Sequence, residues 1–217
     1  MWRAVVFVAL LAGSPLLSAR TWRDDYQSRV EILALMQTLN ADILAGTSAT
    51  RSLEQWCRDH RMADDPRIVA HLIRGVEKAP TAEQLQRLRV TEPHEVKYRR
   101  VELRCGAHVL SEADNWYVPA RLTAEMNRLL ETTDTPFGKA VQSLQPYRRT
   151  LAVTMLWLPL PAGWEQRSRG GRPFRRGRLA IPDELFAHRA ILYTSANEPF
   201  SEVVETYQGA ILGFARP

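Results

Sequence analysis

Thr135-Pro136-Phe137-Gly138-Lys139 reads as a sharp entry into a short helix. Thr135 carries the oxygen of an N-cap and Pro136 has its φ pre-set for the first helical position, which leaves the following backbone amides free to face an anion. Such capped turns are more often architectural than functional. The weight of this one comes from its neighbours in the chain. Tyr98-Arg99-Arg100-Val101-Glu102-Leu103 precedes it and Val203-Val204-Glu205-Thr206-Tyr207 follows it, both strand-like in their β-branched and aromatic content. Successive strand residues point to opposite faces, so Arg99 travels with Val101 and Leu103, whereas Arg100, Glu102 and Arg104 form the solvent face. An inward guanidinium requires a carboxylate from the protein or from a ligand. Glu202 and Glu205 are the internal candidates, and the competing reading leaves Arg99 at a sheet end, in water. Glu205 in an apolar pocket would hold its proton at higher pH than usual, which suits proton transfer or a ligand hydroxyl; as an ordinary strand residue it would face solvent.

Outward from these segments, residues 25–45 carry Val30, Leu33, Met36, Leu39 and Ile43 at three- and four-residue steps, with Ile32, Leu35 and Leu44 widening the apolar face. That spacing predicts a helix with Asn40 toward its polar side and Gly46 as its C-cap. A shorter helix over 52–60 turns Leu53, Trp56 and Cys57 inward. Strands are predicted over 68–73, 96–105, 109–118, 150–157, 190–194 and 203–212, with helices again only over 123–131 and 136–141. Strands joined by short turns favour one α+β domain, an antiparallel sheet of about six strands with helices packed on one face. The polar and aromatic run over 111–117 reads either as a charged edge or as a pocket rim.

Taken in order, these pieces resemble chorismate lyase. Residues 48–54, Ser-Ala-Thr-Arg-Ser-Leu-Glu, are similar to the family's segment after its first helix, with Ala49 where a bulky apolar residue normally stands. Arg99, Val101 and Leu103 follow the Arg-x-Val-x-Leu pattern of the family strand whose arginine grips a substrate carboxylate. Val118-Pro119, Thr135-Pro136-Phe137-Gly138, His188-Arg189 and Glu205-Thr206-Tyr207 then come in the family's order. The resemblance implies a chorismate lyase-like fold and elimination of pyruvate from chorismate to give 4-hydroxybenzoate. It implies catalytic roles for Arg99 and Glu205, and substrate contacts from Ala49, Thr135, Phe137, Gly138 and Arg189. It implies no metal and no organic cofactor. Two departures stand out: Asn115 occupies the place of a substrate-binding arginine, and His188-Arg189 replaces paired arginines.

The composition suits one globular domain, with a net charge of +5 and two cysteines. Arg3 before the apolar run over 4–12, then Pro15 and the small pair Ser18-Ala19, reads as a signal peptide over residues 1–19, with 20–217 as the folded domain. The competing reading is an uncleaved anchor, although the run is far shorter than the roughly 20 residues a spanning helix needs. The expected location is therefore periplasmic or secreted, with membrane-anchored as the alternative. The five histidines show no metal-ligand spacing with one another or with the cysteines. The basic run bounded by Arg167 and Arg178 is expected to be a solvated loop able to meet an anionic membrane surface; nucleic acid is not an expected partner for an exported chain. A monomer that takes a small aromatic carboxylate is expected. Because chorismate is cytosolic, a non-catalytic binder on the same fold and an envelope protein with a vestigial pocket stand beside the lyase. Cys57 and Cys105 are either joined, as an oxidising compartment permits, or separately buried thiols.

Overall fold

The computed structural model describes residues 22–166 and 177–214. The predicted signal peptide lies outside the described residues, as does the basic run except for its last two residues. No helix among the described residues is long and apolar enough to cross a membrane.

Helix α1 (Tyr26–Ala45) starts where Asp25 accepts a hydrogen bond from the Ser28 amide at 2.8 Å, and it buries Ile32, Met36, Leu39 and Ile43 along one stripe. Leu44 falls off that stripe and is exposed. Asn40, expected on the polar side, instead reaches the sheet. Helix α2 (Ala49–Asp59) begins three residues before its expected start because Ser48 is its cap; this puts Ala49 and Thr50 in its first turn, both buried. Strand β1 (Ile68–Ile73) follows, then a seven-residue helix α3 (Ala82–Leu88) that the periodicity reading passed over. Thr81 and Gln84 form a reciprocal capping box there, each side chain bonding the other's backbone amide.

Strands β2 (Lys97–Cys105) and β3 (His108–Tyr117) make a hairpin, helices α4 (Ala124–Thr132) and α5 (Phe137–Ala140) cross over, and β4 (Tyr147–Met155), β5 (Glu184–Tyr193) and β6 (Pro199–Gln208) complete the sheet. The six strands run antiparallel in the order β1-β2-β3-β6-β5-β4. Register sets one face: Arg99 lies opposite Asn115, Val101 opposite Ala113, Ala113 opposite Glu205, Glu205 opposite His188, and Arg148 opposite Leu192. Helices α1 and α2 pack apolar side chains against this face near Leu103, Ala113 and Tyr207, while α4 and α5 cover its other end around Tyr117 and Phe200. Full burial of each such Leu, Ile or Phe side chain contributes roughly 1.5–3 kcal/mol.

The reverse face carries the charged residues of β2, as alternation predicted, but α3 adds a small apolar cluster there with Leu88, Val96, Trp116 and Val118. Arg87 of α3 holds Glu202 through two bonds of 2.7 and 2.9 Å. A disulfide joins Cys57 of α2 to Cys105 at the end of β2, with 6.3 Å between their Cα atoms.

Candidate functional site

A strand face that packs under helices is normally apolar, and this one is not. Arg99, Ser111, Asn115, His188, Ser201 and Glu205 are all buried on it, and the Arg148 side chain is only 5% exposed. Several of them border a cavity of about 70 Å³ walled by the start of α2, the first turn of α5, and strands β2, β3, β4 and β6. A vestibule of about 330 Å³ adjoins the cavity, sharing walls at Thr47, Ser48, Thr50, Gly138 and Pro146. Arg51, Glu54 and Lys139 make the vestibule polar, and Lys139 bonds Glu54 at 2.5 Å, tying α5 to α2.

Arg99 is buried and donates to two carbonyls, Leu130 O through Nε and Thr135 O through Nη2, each at 3.0 Å. No carboxylate lies within ion-pair distance of it among the described residues, so neither internal partner expected from the sequence is realised. Glu202 points to the reverse face and Arg87, and Glu205 is taken by Arg148 at 2.7 Å. Burial lowers the Arg99 pKa to about 10, against weaker support from Tyr117 and Asp134. A guanidinium remains charged at neutral pH even so.

Glu205 accepts from Arg148 and, at 3.1 Å, from the Tyr207 hydroxyl. Burial is the largest single influence on Arg148 and opposes its charge, but the Glu205 charge, the Tyr207 oxygen and the hydrogen bond to Glu205 together outweigh it and the Arg148 pKa rises. Burial, with the Glu205 charge second, drives the Tyr207 pKa well up. Beside them His188 meets Asn40 of α1 at 2.7 Å through Nε2. Nε and Nη2 of Arg148 and Nδ1 of His188 are sealed and have no partner among the described residues. Two guanidiniums therefore face one carboxylate in this chamber, which leaves a positive charge for an anion to balance.

The structure brings Ala49, Arg99, Phe137, Gly138 and Glu205 to one cavity. Gly138 is close-packed: a Cβ there would sit 3.3 Å from Ser48 Oγ. Thr135 does not line the cavity and does not cap α5, which starts at Phe137; it supports Arg99 through its carbonyl, and its hydroxyl accepts from Thr133. Arg189 is not brought to the site: it is exposed on the reverse face, and its neighbour His188 points inward instead. Arg148 was missed because the strand reading began at Thr150. Carrying the alternation two residues back would have set Arg148 on the face of Thr150.

No family model matches the chain. It is 45% identical over 216 residues to the uncharacterized protein y4mC of Sinorhizobium fredii (strain NBRC 101917 / NGR234), covering 99% of this chain and 90% of that protein. Among solved structures, PhnF from Mycobacterium smegmatis aligns with a TM-score of 0.47 at 12% identity, over 91% of this chain and 92% of that one. The ligand-binding domain of a putative GntR-family transcriptional regulator from Bordetella bronchiseptica aligns with a TM-score of 0.41 at 17% identity, over 65% and 82%. Likenesses this distant carry no functional weight.

Proposed function

The chain belongs to the family of the uncharacterized protein y4mC, and on that footing we propose that it binds a small aromatic carboxylate between α2, α5 and the sheet. The observation that carries this reading is Arg99: a buried guanidinium, lining a cavity, with no carboxylate partner among the described residues. A buried charge held only by neutral carbonyls is costly, and a ligand carboxylate relieves it with a charge-assisted pair. The vestibule supplies room for the rest of the molecule. The disulfide and the N-terminal leader pattern support an exported protein, since such bridges persist in oxidising compartments.

Glu205 supports a second reading, elimination of pyruvate from chorismate. It lines the same cavity as Arg99, so a ligand whose carboxylate Arg99 holds has Glu205 on the wall of the space it occupies. Aromatisation drives that reaction, and orientation with charge stabilisation is what the site would contribute.

Calorimetry with 4-hydroxybenzoate tests the binding reading. Arg99→Ala is expected to weaken binding by on the order of a hundredfold, the scale of a lost hydrogen bond to a charged group in a buried site. Arg100→Ala, on the reverse face with Glu112, is expected to bind as the unmodified chain does. The opposite pattern overturns the assignment. Incubation with chorismate separates the two readings: pyruvate release establishes a lyase, and binding without pyruvate leaves a binder.

A further inference from the structure

Asn115 is buried and lines the cavity directly across the β2–β3 pair from Arg99. Its Oδ1 accepts from the hydroxyl of Ser201, at 2.5 Å, a residue with no solvent exposure. That bond fixes the amide. With its oxygen engaged, Asn115 presents Nδ2 as a pure donor. Nδ2 meets no acceptor among the described residues, and it is not among the sealed orphan atoms, unlike Nε and Nη2 of Arg148. Arg99 Nη1 is in the same condition, since Nε and Nη2 carry its two recorded bonds. Side chains directly opposite on paired strands leave the sheet about 5 Å apart at Cβ, and both residues line the same cavity. One is charged and one neutral.

Resting on the carboxylate reading above, we infer that Asn115, positioned by Ser201, makes this pocket select carboxylates that carry a second, uncharged oxygen beside the carboxylate, a hydroxyl or a carbonyl. Arg99 takes the anion and Asn115 Nδ2 donates to the neighbouring oxygen. A ligand without that oxygen leaves a buried N–H unpaired, which is what gives a hydrogen-bonding site its discrimination. A second anionic group at this position gains no charge partner from an amide. In a 2-hydroxybenzoate the phenol donates to its own carboxylate and keeps a lone pair for Asn115.

The test compares 4-hydroxybenzoate with 2,4-dihydroxybenzoate by calorimetry on the unmodified chain, Asn115→Ala and Ser201→Ala, with melting curves for all three. The unmodified chain is expected to prefer the dihydroxy acid by about tenfold, and both variants are expected to bring the two acids within about twofold of each other. Loss of preference in Ser201→Ala, where every cavity-lining side chain is retained, is a readout that simple destabilisation would not move. If Asn115→Ala does not fold, Ser201→Ala decides alone. Equal binding of the two acids by the unmodified chain, or a preference that survives in Ser201→Ala, overturns the inference while leaving the carboxylate pocket standing. Binding of neither acid overturns the pocket reading and this inference with it.

Discussion

His188 sits where a positive charge would be poorly solvated. It has no solvent exposure, Arg148 and Glu205 face it from the neighbouring strands, and Asn40 meets it from α1. Burial and then the Arg148 charge lower its pKa from 6.5 to about 4, with Glu205 opposing. Between those values the unfolded chain binds the proton and the folded chain does not, so stability rises with pH across the window. The contribution is present above pH 6.5 and is lost as pH falls through about 4. Its size is roughly 3 kcal/mol. Urea midpoints at the two ends of this window are expected to differ more in the unmodified chain than in His188→Gln, which cannot take up the proton. Equal differences in the two proteins would show that His188 does not couple folding to pH. Asn40 illustrates what residue-scale reading lacks: helical spacing places it beside the polar face, and only the partner on β5 explains why it turns inward.

At the scale of elements, α3 is held by its contacts rather than by its own sequence. Seven residues are too few for a helix to persist alone, and its anchor is Arg87, whose two bonds reach a Glu202 carboxylate that is 1% exposed. Removing one partner of such a pair leaves a buried charge, so Arg87→Ala is expected to destabilise the fold by about 3 kcal/mol. Binding of 4-hydroxybenzoate is expected to survive, because α3 covers the face opposite the cavity. A normal urea midpoint in this variant, or lost binding at full stability, would contradict that placement. The capping box of Thr81 and Gln84 was visible in the sequence, but a helix this short shows too few apolar repeats for periodicity to find it. Strand β4 posed the reverse difficulty. It is a sheet edge with a bulge between Thr150 and Ala152, so its outer residues include the exposed Leu151 and Val153, and its polar start, Tyr147-Arg148-Arg149, gives no strand signal of its own.

Across the whole molecule the disulfide links two walls of the cavity, since α2 supplies Ala49 and Thr50 and β2 supplies Arg99, Val101 and Leu103. The 48-residue separation of Cys57 and Cys105 restricts the unfolded chain, a stabilisation of about 4 kcal/mol in the chain-entropy account. Cys57→Ala with Cys105→Ala is expected to lower the urea midpoint correspondingly. Denatured protein isolated without reductant is expected to take up no thiol label; two labels per chain would reject the bridge.

The α+β class, the sheet of six antiparallel strands and the inward direction of Arg99 follow from local chemistry: strand alternation, β-branched content and turn residues act over a few positions and are legible without a fold. The same alternation places Glu205 on the inner face once β6 is recognised. What tertiary structure decided is which charges meet. Arg99 and Glu205 line the same cavity, yet Glu205 pairs with Arg148, Glu202 turns to Arg87 on the other face, and Arg189 faces away while His188 faces in. Those choices depend on register across β3, β6, β5 and β4, and a shift of one residue in any pairing would exchange the buried set for the exposed one.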